Sequence, residues 1–374
     1  MKKFNRPVFL MVAFLLTLTA CNKRSPTLPD TQPPPKILQG DFFVSPQGND
    51  ANDGKSPSSP LRTVKKALER AKGGETIVIL KGIYHETIEL ANYTPPQRIT
   101  IQGENAQTGR SEDQPVFDGE NSKQFFVNCL GNCTNITVEY LTIQNYRWTG
   151  LLFFQSSNIQ LRHLHIIHTG LAWVPDLDDW GDGLRLDECS HCLVENTIIE
   201  NTGGISSDNE LHGHGIVLFG TTNTTIRNNK ISNIKGDGMV VEDSCHIVVE
   251  GNEITDVDVR RATWFGGAID TDGGIDITIR NNIIRNSNGP GINIGDEEIQ
   301  YPERSKGWKV DGNTIEGHKF GLYIWNFGKC PPTDDILQAT NNTYANNEQD
   351  VFCVAWLCRR DEPCFEPDPS PPPC

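Results

Sequence analysis

The chain has few positive charges and few hydrophobic residues. Its 33 Lys and Arg stand against 48 Asp and Glu, a net charge of −15, and only 36% of its 374 residues are hydrophobic. The first deficit excludes a broad basic face for nucleic acid or anionic lipid. The second, joined to 34 Gly and 31 Asn, argues against a helical bundle, because both residues are poor helix formers. Long apolar runs are also missing: the stretch from Val8 to Leu18 falls short of a membrane span. No second pair follows Cys189 and Cys192 at zinc-ribbon spacing, which disfavours a zinc site. What the chain does hold is Val and Ile in short regular runs, a pattern that disordered chains lack. A folded chain of many turns and short strands is expected.

Lys2, Lys3 and Arg6 precede the Val8 to Leu18 stretch, and small residues follow it, the pattern of an export signal. The ending Leu18-Thr19-Ala20-Cys21 resembles a bacterial lipobox, which implies cleavage before Cys21 and lipidation of its sulfur. By the same resemblance, Asn22 favours the outer membrane, so a cell-envelope protein on the periplasmic or surface face is expected, touching the membrane only through its lipid anchor. Losing the signal takes the net charge from −15 to −18. Residues 1–20 are thus the signal and 21–40 a stiff tether carrying Pro26, Pro29 and Pro33 to Pro35. In an oxidising compartment the closely spaced cysteines predict local disulfides: Cys129 with Cys133, Cys189 with Cys192, Cys353 with Cys358, and Cys364 with Cys374. Cys245 and Cys330 have no evident partner. The Cys- and Pro-rich tail, 351–374, is expected to cap the last coil.

Between these ends the chain repeats itself. Asn135 to Asn145, Asn158 to His168, His191 to Asn201, Asn223 to Asn233, His246 to Asp256 and Asp276 to Asn286 share one pattern, an alternating strand, an Asn-centred turn and a second strand. Gly307 to Gly317 and Leu337 to Asn346 continue it. One column reads Asn229, Asn252, Asn282, Asn313, Asn342, a ladder of stacked turns. A third strand falls between these segments, led by Gly150, Gly183, Gly215, Gly238, Ala268, Gly291 and Gly321. Three short strands per period cannot bury a face alone but can when stacked. The pattern predicts an all-β parallel β-helix, since a propeller or sandwich would need a regular series of hairpin turns.

Phe42-Phe-Val-Ser-Pro-Gln-Gly-Asn-Asp-Ala-Asn-Asp-Gly54, Pro60-Leu-Arg-Thr-Val-Lys-Lys-Ala-Leu-Glu-Arg-Ala71 and Gly74-Glu-Thr-Ile-Val-Ile-Leu-Lys-Gly-Ile-Tyr-His-Glu86 resemble the entrance of the pectate-lyase-like right-handed β-helix superfamily, most closely the family 9 polysaccharide lyases. The resemblance covers roughly 41–350 and implies a right-handed solenoid, with 41–103 as N-terminal cap and first coils and 104–350 as the β-helix. Val64, Ala67, Leu68 and Ala71 share one helical face that would plug the open end. The superfamily hosts lyases, hydrolases, epimerases and adhesins, so fold alone does not select a chemistry.

Long connections before Gly183, Gly215 and Ala268, and a short one before Gly238, predict a groove across the strands, suited to an extended polysaccharide. Asp182, His214 and Asp237 align just before the Gly column; Arg185, Asp270 and Asn293 two residues after it; Asp187, Phe219, Glu242 and Asp272 four after it. Outward carboxylates this close repel unless a cation binds them or they divide acid and base roles, which makes Asp237, Glu242, Asp270 and Asp272 candidate Ca²⁺ ligands. His214, Arg185 and Asp237 are the catalytic candidates. Trp173, Trp180, Trp264, Arg260 and Arg261, on the long loops, are candidate sugar-binding residues. The expected activity is Ca²⁺-assisted β-elimination on a uronic acid polymer by a monomeric enzyme. The family 9 lyases carry an Asp-Asp-Gly-x-x-Asp calcium motif and a lysine base, whereas Gly236-Asp-Gly-Met-Val-Val241 retains part of the motif and no lysine stands in these columns. Gly213-His-Gly-Ile216 is similar to an element of the polygalacturonases, which keeps an inverting hydrolase open. A carbohydrate-binding lipoprotein without activity is the third reading.

Overall fold

The computed structural model describes residues 38–170, 181–205, 211–257, 266–295, 305–325 and 332–354. Strands of these residues stack into three long parallel sheets, each neighbour lying one coil along the chain. Sheet 1 has 11 strands, from Phe42–Val44 to Leu337–Thr340; sheets 2 and 3 have 10 each, from Ile83–Tyr84 to Thr343–Ala345 and from Ile88–Leu90 to Gln349–Val354. The solenoid therefore runs through Val354, slightly past the boundary at 350 expected from sequence. Among the described residues no helix is long and apolar enough to cross a membrane.

The register follows from alternation. Leu161, Val194, Ile226, Val249, Ile279 and Val310 pair in succession in sheet 1, all 0% exposed, while their neighbours face out. Each such side chain contributes about 1.5–3 kcal/mol by leaving water, but only because coils above and below cover it. The outward column beside this core row alternates in sign: Glu139, Arg162, Glu195, Arg227, Glu250, Arg280, Asp311. Arg162 bonds Glu139 at 2.6 Å, Arg227 bonds Glu195 at 2.7 Å and Arg280 bonds Glu250 at 2.6 Å.

The Asn content has two structural uses. At the corner between sheets 1 and 2, the Asn column from Asn229 to Asn342 is a ladder: Asn252 and Asn282 donate through N and Nδ2 to the Oδ1 of the next coil's Asn at 2.9–3.0 Å, and through Nδ2 to a backbone carbonyl of the preceding coil. Beside it, Asn196, Asn228, Gly251, Asn281, Gly312 and Asn341 hold positive φ, a region that short polar side chains and glycine tolerate best. Several histidines, His163, His168, His191 and His246, occupy equivalent left-handed corners, which accounts for them without chemistry.

At the entrance, the helix Val64–Arg70 buries Val64, Ala67 and Leu68, with Ala71 against the same core, as its sequence face predicts. Thr63 caps it through Lys66 N–H (3.1 Å), and Glu86 accepts from Val64 and Lys65 N–H. Cys129 and Cys133 form the expected disulfide. Cys189 and Cys192 do not: both are free, buried thiols, and each Sγ donates to backbone carbonyls, Cys189 to Phe153 and Asp187 at 3.3 Å and Cys192 to Ser190 at 3.4 Å. Cys245, whose partner the spacing does not reveal, is disulfide-bonded, as is Cys353. Cys21, tether residues 21–37 and Cys330, Cys358, Cys364 and Cys374 lie outside the described residues.

His318 is a second buried corner group. Its Nδ1 accepts from Ser287 N–H at 3.2 Å and lies 2.7 Å from Ser287 Oγ, and its Nε2–H donates to Ile284 O at 3.1 Å. Burial holds this imidazole below its ordinary pKa of 6.5. A depressed base stabilises the fold above the unfolded value, and that contribution is lost as pH falls, because only the unfolded chain takes up the proton readily. The melting temperature is therefore expected to drop between pH 7.5 and 5, and by less in His318→Asn, a substitution that copies Asn347 of the same corner. Parallel pH dependences in the two proteins would rule His318 out as a source of the effect.

Candidate functional site

Beyond residue 116, turns between sheets 1 and 2 stay at two residues, as at Asn228–Asn229, Gly251–Asn252 and Asn281–Asn282, whereas the first coils carry longer ones at 80–82 and 104–115. Past those first coils, connections lengthen where the chain enters or leaves sheet 3: 168–183, 201–215 and 258–268 on entry, then 296–304 and 326–336 on exit. The entry to Met239–Glu242 is short by comparison, 235–238. A solenoid accepts insertions where they do not disturb stacking, so their concentration along one sheet marks its outward face as the candidate site.

On that face the register aligns Arg185, Val217, Val240, Asp270 and Asn293 in one column and Asp187, Phe219, Glu242, Asp272 and Gly295 in the next, as the sequence repeats predict. Alternation puts the two columns roughly 6.5–7 Å apart along each strand, with coils about 4.8 Å apart. Aromatic clusters stand at both ends: Phe125, Trp148 and Leu152 toward the N-terminus, Phe320, Tyr323 and Trp325 toward the C-terminus.

The column at the strand entrance has a structural job. Asp182 N–H donates to Thr149 Oγ1 (3.2 Å), His214 N–H to Asp182 Oδ1 (3.0 Å), Asp237 N–H to His214 Nδ1 (3.0 Å) and Gly267 N–H to Asp237 Oδ1 (2.7 Å). Each side chain secures the backbone of the next coil, a second ladder parallel to the Asn one. Asp182 and Asp237 are essentially buried, at 0% and 1% exposure. His214 Nδ1 also lies 3.1 Å from Asp237 Oδ2. Nδ1 cannot accept from the backbone N–H and donate to the carboxylate at once.

Arg185 lies between two carboxylates. Its Nε is 2.8 Å from Asp187 Oδ2, and its guanidinium is 3.5 Å from Asp182 Oδ2. A guanidinium does not deprotonate in proteins and here is held by both neighbours, so it orders the face and is no proton acceptor.

Asp270 is placed differently. Asn293 Nδ2 donates to its Oδ1 at 2.7 Å, and Asn293 Oδ1 in turn accepts from Trp325 Nε1 at 2.9 Å. Asn293 and Trp325 are 0% and 1% exposed, so a buried donor chain across three coils sets the orientation of this carboxylate. The indole has room because residue 295 is glycine: a Cβ there would collide with Trp325. Trp325 was not singled out from sequence, and Asn293 was placed in its column without a role. The available signal was an Asn and a Gly in outward columns whose other members are larger.

Glu242 and Asp272 are register partners on neighbouring coils. Asp237 stands five residues before Glu242, roughly 15 Å along the strand, and its oxygens serve His214 and Gly267. Asp237 is thus set apart from the other three carboxylates, and among the described residues no three His, Cys, Asp or Glu side chains converge as a metal site. Trp173, Trp180, Arg260, Arg261 and Trp264 lie outside the described residues.

Residues 177–347 match the family model described as the right-handed beta helix region. An uncharacterized protein of Bacillus subtilis (strain 168), YwoF, is 26% identical over 360 residues, covering 86% of this chain and 72% of its own. Among solved structures, the alginate lyase from Paenibacillus sp. str. FPU-7 superposes with a TM-score of 0.55 at 17% identity, over 77% of this chain and 96% of that one. Pectate lyase Pel9A does so at 0.51 and 13%, over 83% and 78%. The scaffold is a right-handed parallel β-helix. At these identities the likeness is one of fold, and the chemistry of this β-helix has to come from its own residues.

Proposed function

We propose that the outward face of sheet 3 binds an extended glycan across its strands and cleaves it by carboxylate-catalysed hydrolysis. The observation that carries this reading is the buried Trp325–Asn293–Asp270 chain, since a carboxylate oriented by buried groups behind it is the arrangement a catalytic base requires. The two similar structures are named for alginate and pectate, both glycans, which supports a polysaccharide as the bound molecule. Asp270 and Asp272 project from one strand with the roughly 7 Å spacing of alternate residues. Inverting hydrolases hold their carboxyl groups about 6.5–9.5 Å apart, leaving room for a water. Asp270, accepting from Asn293, is the base that draws a proton from that water. Asp272, the register partner of Glu242, supplies a proton to the leaving oxygen.

Elimination from a uronic acid polymer with a bound cation is the second reading, favoured by the acidic crowding of Glu242, Asp270 and Asp272. Against it stands the engagement of both candidate bases: Arg185 is held by two carboxylates, and His214 supports the entrance ladder. An envelope location with a lipid anchor at Cys21 is part of the same proposal, because an exported chain meets polymers outside the cytoplasm.

A panel of neutral and uronic polymers, assayed for reducing ends and for absorbance of unsaturated uronate, with and without chelator, separates the readings. Reducing ends without that absorbance, unchanged by chelator, are expected. A chelator-sensitive rise in absorbance establishes elimination instead, and binding without any product leaves a carbohydrate-binding protein.

A further inference from the structure

Three tyrosines are buried among the described residues: Tyr84, Tyr146 and Tyr323, at 3%, 0% and 2% exposure. A buried phenol ordinarily finds a partner for its hydroxyl. Tyr84 donates to Leu80 O at 2.6 Å and Tyr146 to Glu86 O at 2.7 Å. Among the described residues no group bonds the Tyr323 hydroxyl, yet its oxygen is not sealed from solvent. On the strand Phe320–Trp325, Leu322 and Ile324 join the core, while Tyr323 and Trp325 face outward from sheet 3. Asn293, which aims Asp270, is the register partner of Tyr323 on the preceding coil. Phe320 and Phe352 flank the ring at centroid distances of 5.3 and 5.5 Å, the latter nearly parallel to it at 12°. The strand is paired on both sides, so packing holds the ring and two neighbouring coils hold its backbone.

A fixed hydroxyl at the surface of this face is a donor that loses almost no freedom when it meets a ligand. Burial holds the phenol above its ordinary pKa of 10, so near neutral pH it keeps its proton and does not serve as a base. Hydroxyl and ring oxygens of a sugar accept such a bond, and a few placed polar groups are what fix a ligand's orientation. We infer that Tyr323 is a substrate-binding residue whose hydroxyl donates to an oxygen of the bound glycan, in a subsite two coils along from Asp270. Two coils are about 9.6 Å, so the contact lies away from the bond at which Asp270 acts. The inference rests on the glycan reading above and adds to it a residue that positions the polymer without taking part in the reaction.

The test is Tyr323→Phe, which removes one oxygen and keeps the ring. Because that oxygen bonds nothing in the chain, the melting temperature should not change. Binding is read by affinity electrophoresis of the full chain carrying Asp270→Asn, which prevents consumption of the polymer, in gels containing xylan, galactomannan, polygalacturonate or alginate. Adding Tyr323→Phe should weaken retention about fivefold, the size of one uncharged hydrogen bond. With Asp270 restored, the loss on the same polymer should fall on KM and not on kcat. Equal retention with and without the Tyr323 hydroxyl, on a polymer that retains the parent, overturns the subsite and leaves the glycan reading standing. A fall in kcat at unchanged KM puts the hydroxyl at the reacting bond, and a lower melting temperature makes it a structural group; either result overturns the binding role. Absence of retention in every gel removes the glycan reading and the subsite with it.

Discussion

Asp270→Asn is expected to reduce glycan cleavage about a thousandfold, equivalent to about 4 kcal/mol of transition-state stabilisation, with no loss of fold. The substitution is nearly isosteric and the side chain lies on the outward face, so no core contact is removed. What is lost is the ability to take a proton from water, a contribution of the size that general bases make together with the charge they carry. A companion substitution probes the support behind it. Gly295→Ala places a methyl group where the Trp325 indole lies, forcing Nε1 away from Asn293 and loosening Asn293 from Asp270. Its rate should fall about tenfold. Rates of reducing-end release and melting curves on the same preparations decide the matter. An Asp270→Asn protein that keeps more than a tenth of the parent rate would remove Asp270 from the chemistry.

The largest stability effect is expected inside the Asn ladder. Asn282 donates to Val249 O and Asn313 Oδ1, and accepts from Asn252 N and Nδ2. Asn282→Ala leaves the Asn252 N–H buried with no partner, at about 1–3 kcal/mol, and removes the side-chain bonds to Val249 O, Asn313 Oδ1 and Asn252 Nδ2 besides. A loss of about 3 kcal/mol or more follows, read as a lower denaturation midpoint. By contrast, Arg227→Met removes an exposed member of the charge ladder on sheet 1 and should cost about 1 kcal/mol or less. If the two variants were equally stable, the Asn column would not be what holds the coils together. Because each coil contacts only its neighbours, a lesion at Asn282 should also let the two ends of the solenoid melt apart.

Much of this architecture was legible in the residues. The period-two alternation, the glycine that opens each strand of sheet 3 and the Asn column predict the register of the outward columns correctly, down to the Arg185–Val217–Val240–Asp270–Asn293 alignment. Alternation is a property of neighbouring residues, and stacking repeats it, so one correct offset per coil is enough. The alternating charges from Glu139 to Arg280 were equally available but are visible only once the coils are aligned. The cysteines show the other case: spacing suited Cys189 and Cys192 to a disulfide as well as Cys129 and Cys133, yet only the second pair is bonded.

The sequence by itself determined the solenoid and the sheet beside which most insertions fall, since repeat length and insertion position are properties of the chain alone. It could not tell a carboxylate that supports the backbone from one that is held ready for chemistry. Asp237 and Asp270 look alike as letters in adjacent columns. The tertiary structure separates them: Asp237 is buried and bonded to the Gly267 backbone, while Asp270 faces out and is aimed by Asn293 and Trp325. Asn293 lies 23 residues from Asp270, and Trp325 a further 32 from Asn293. They meet only when three coils stack, so no local pattern announces them.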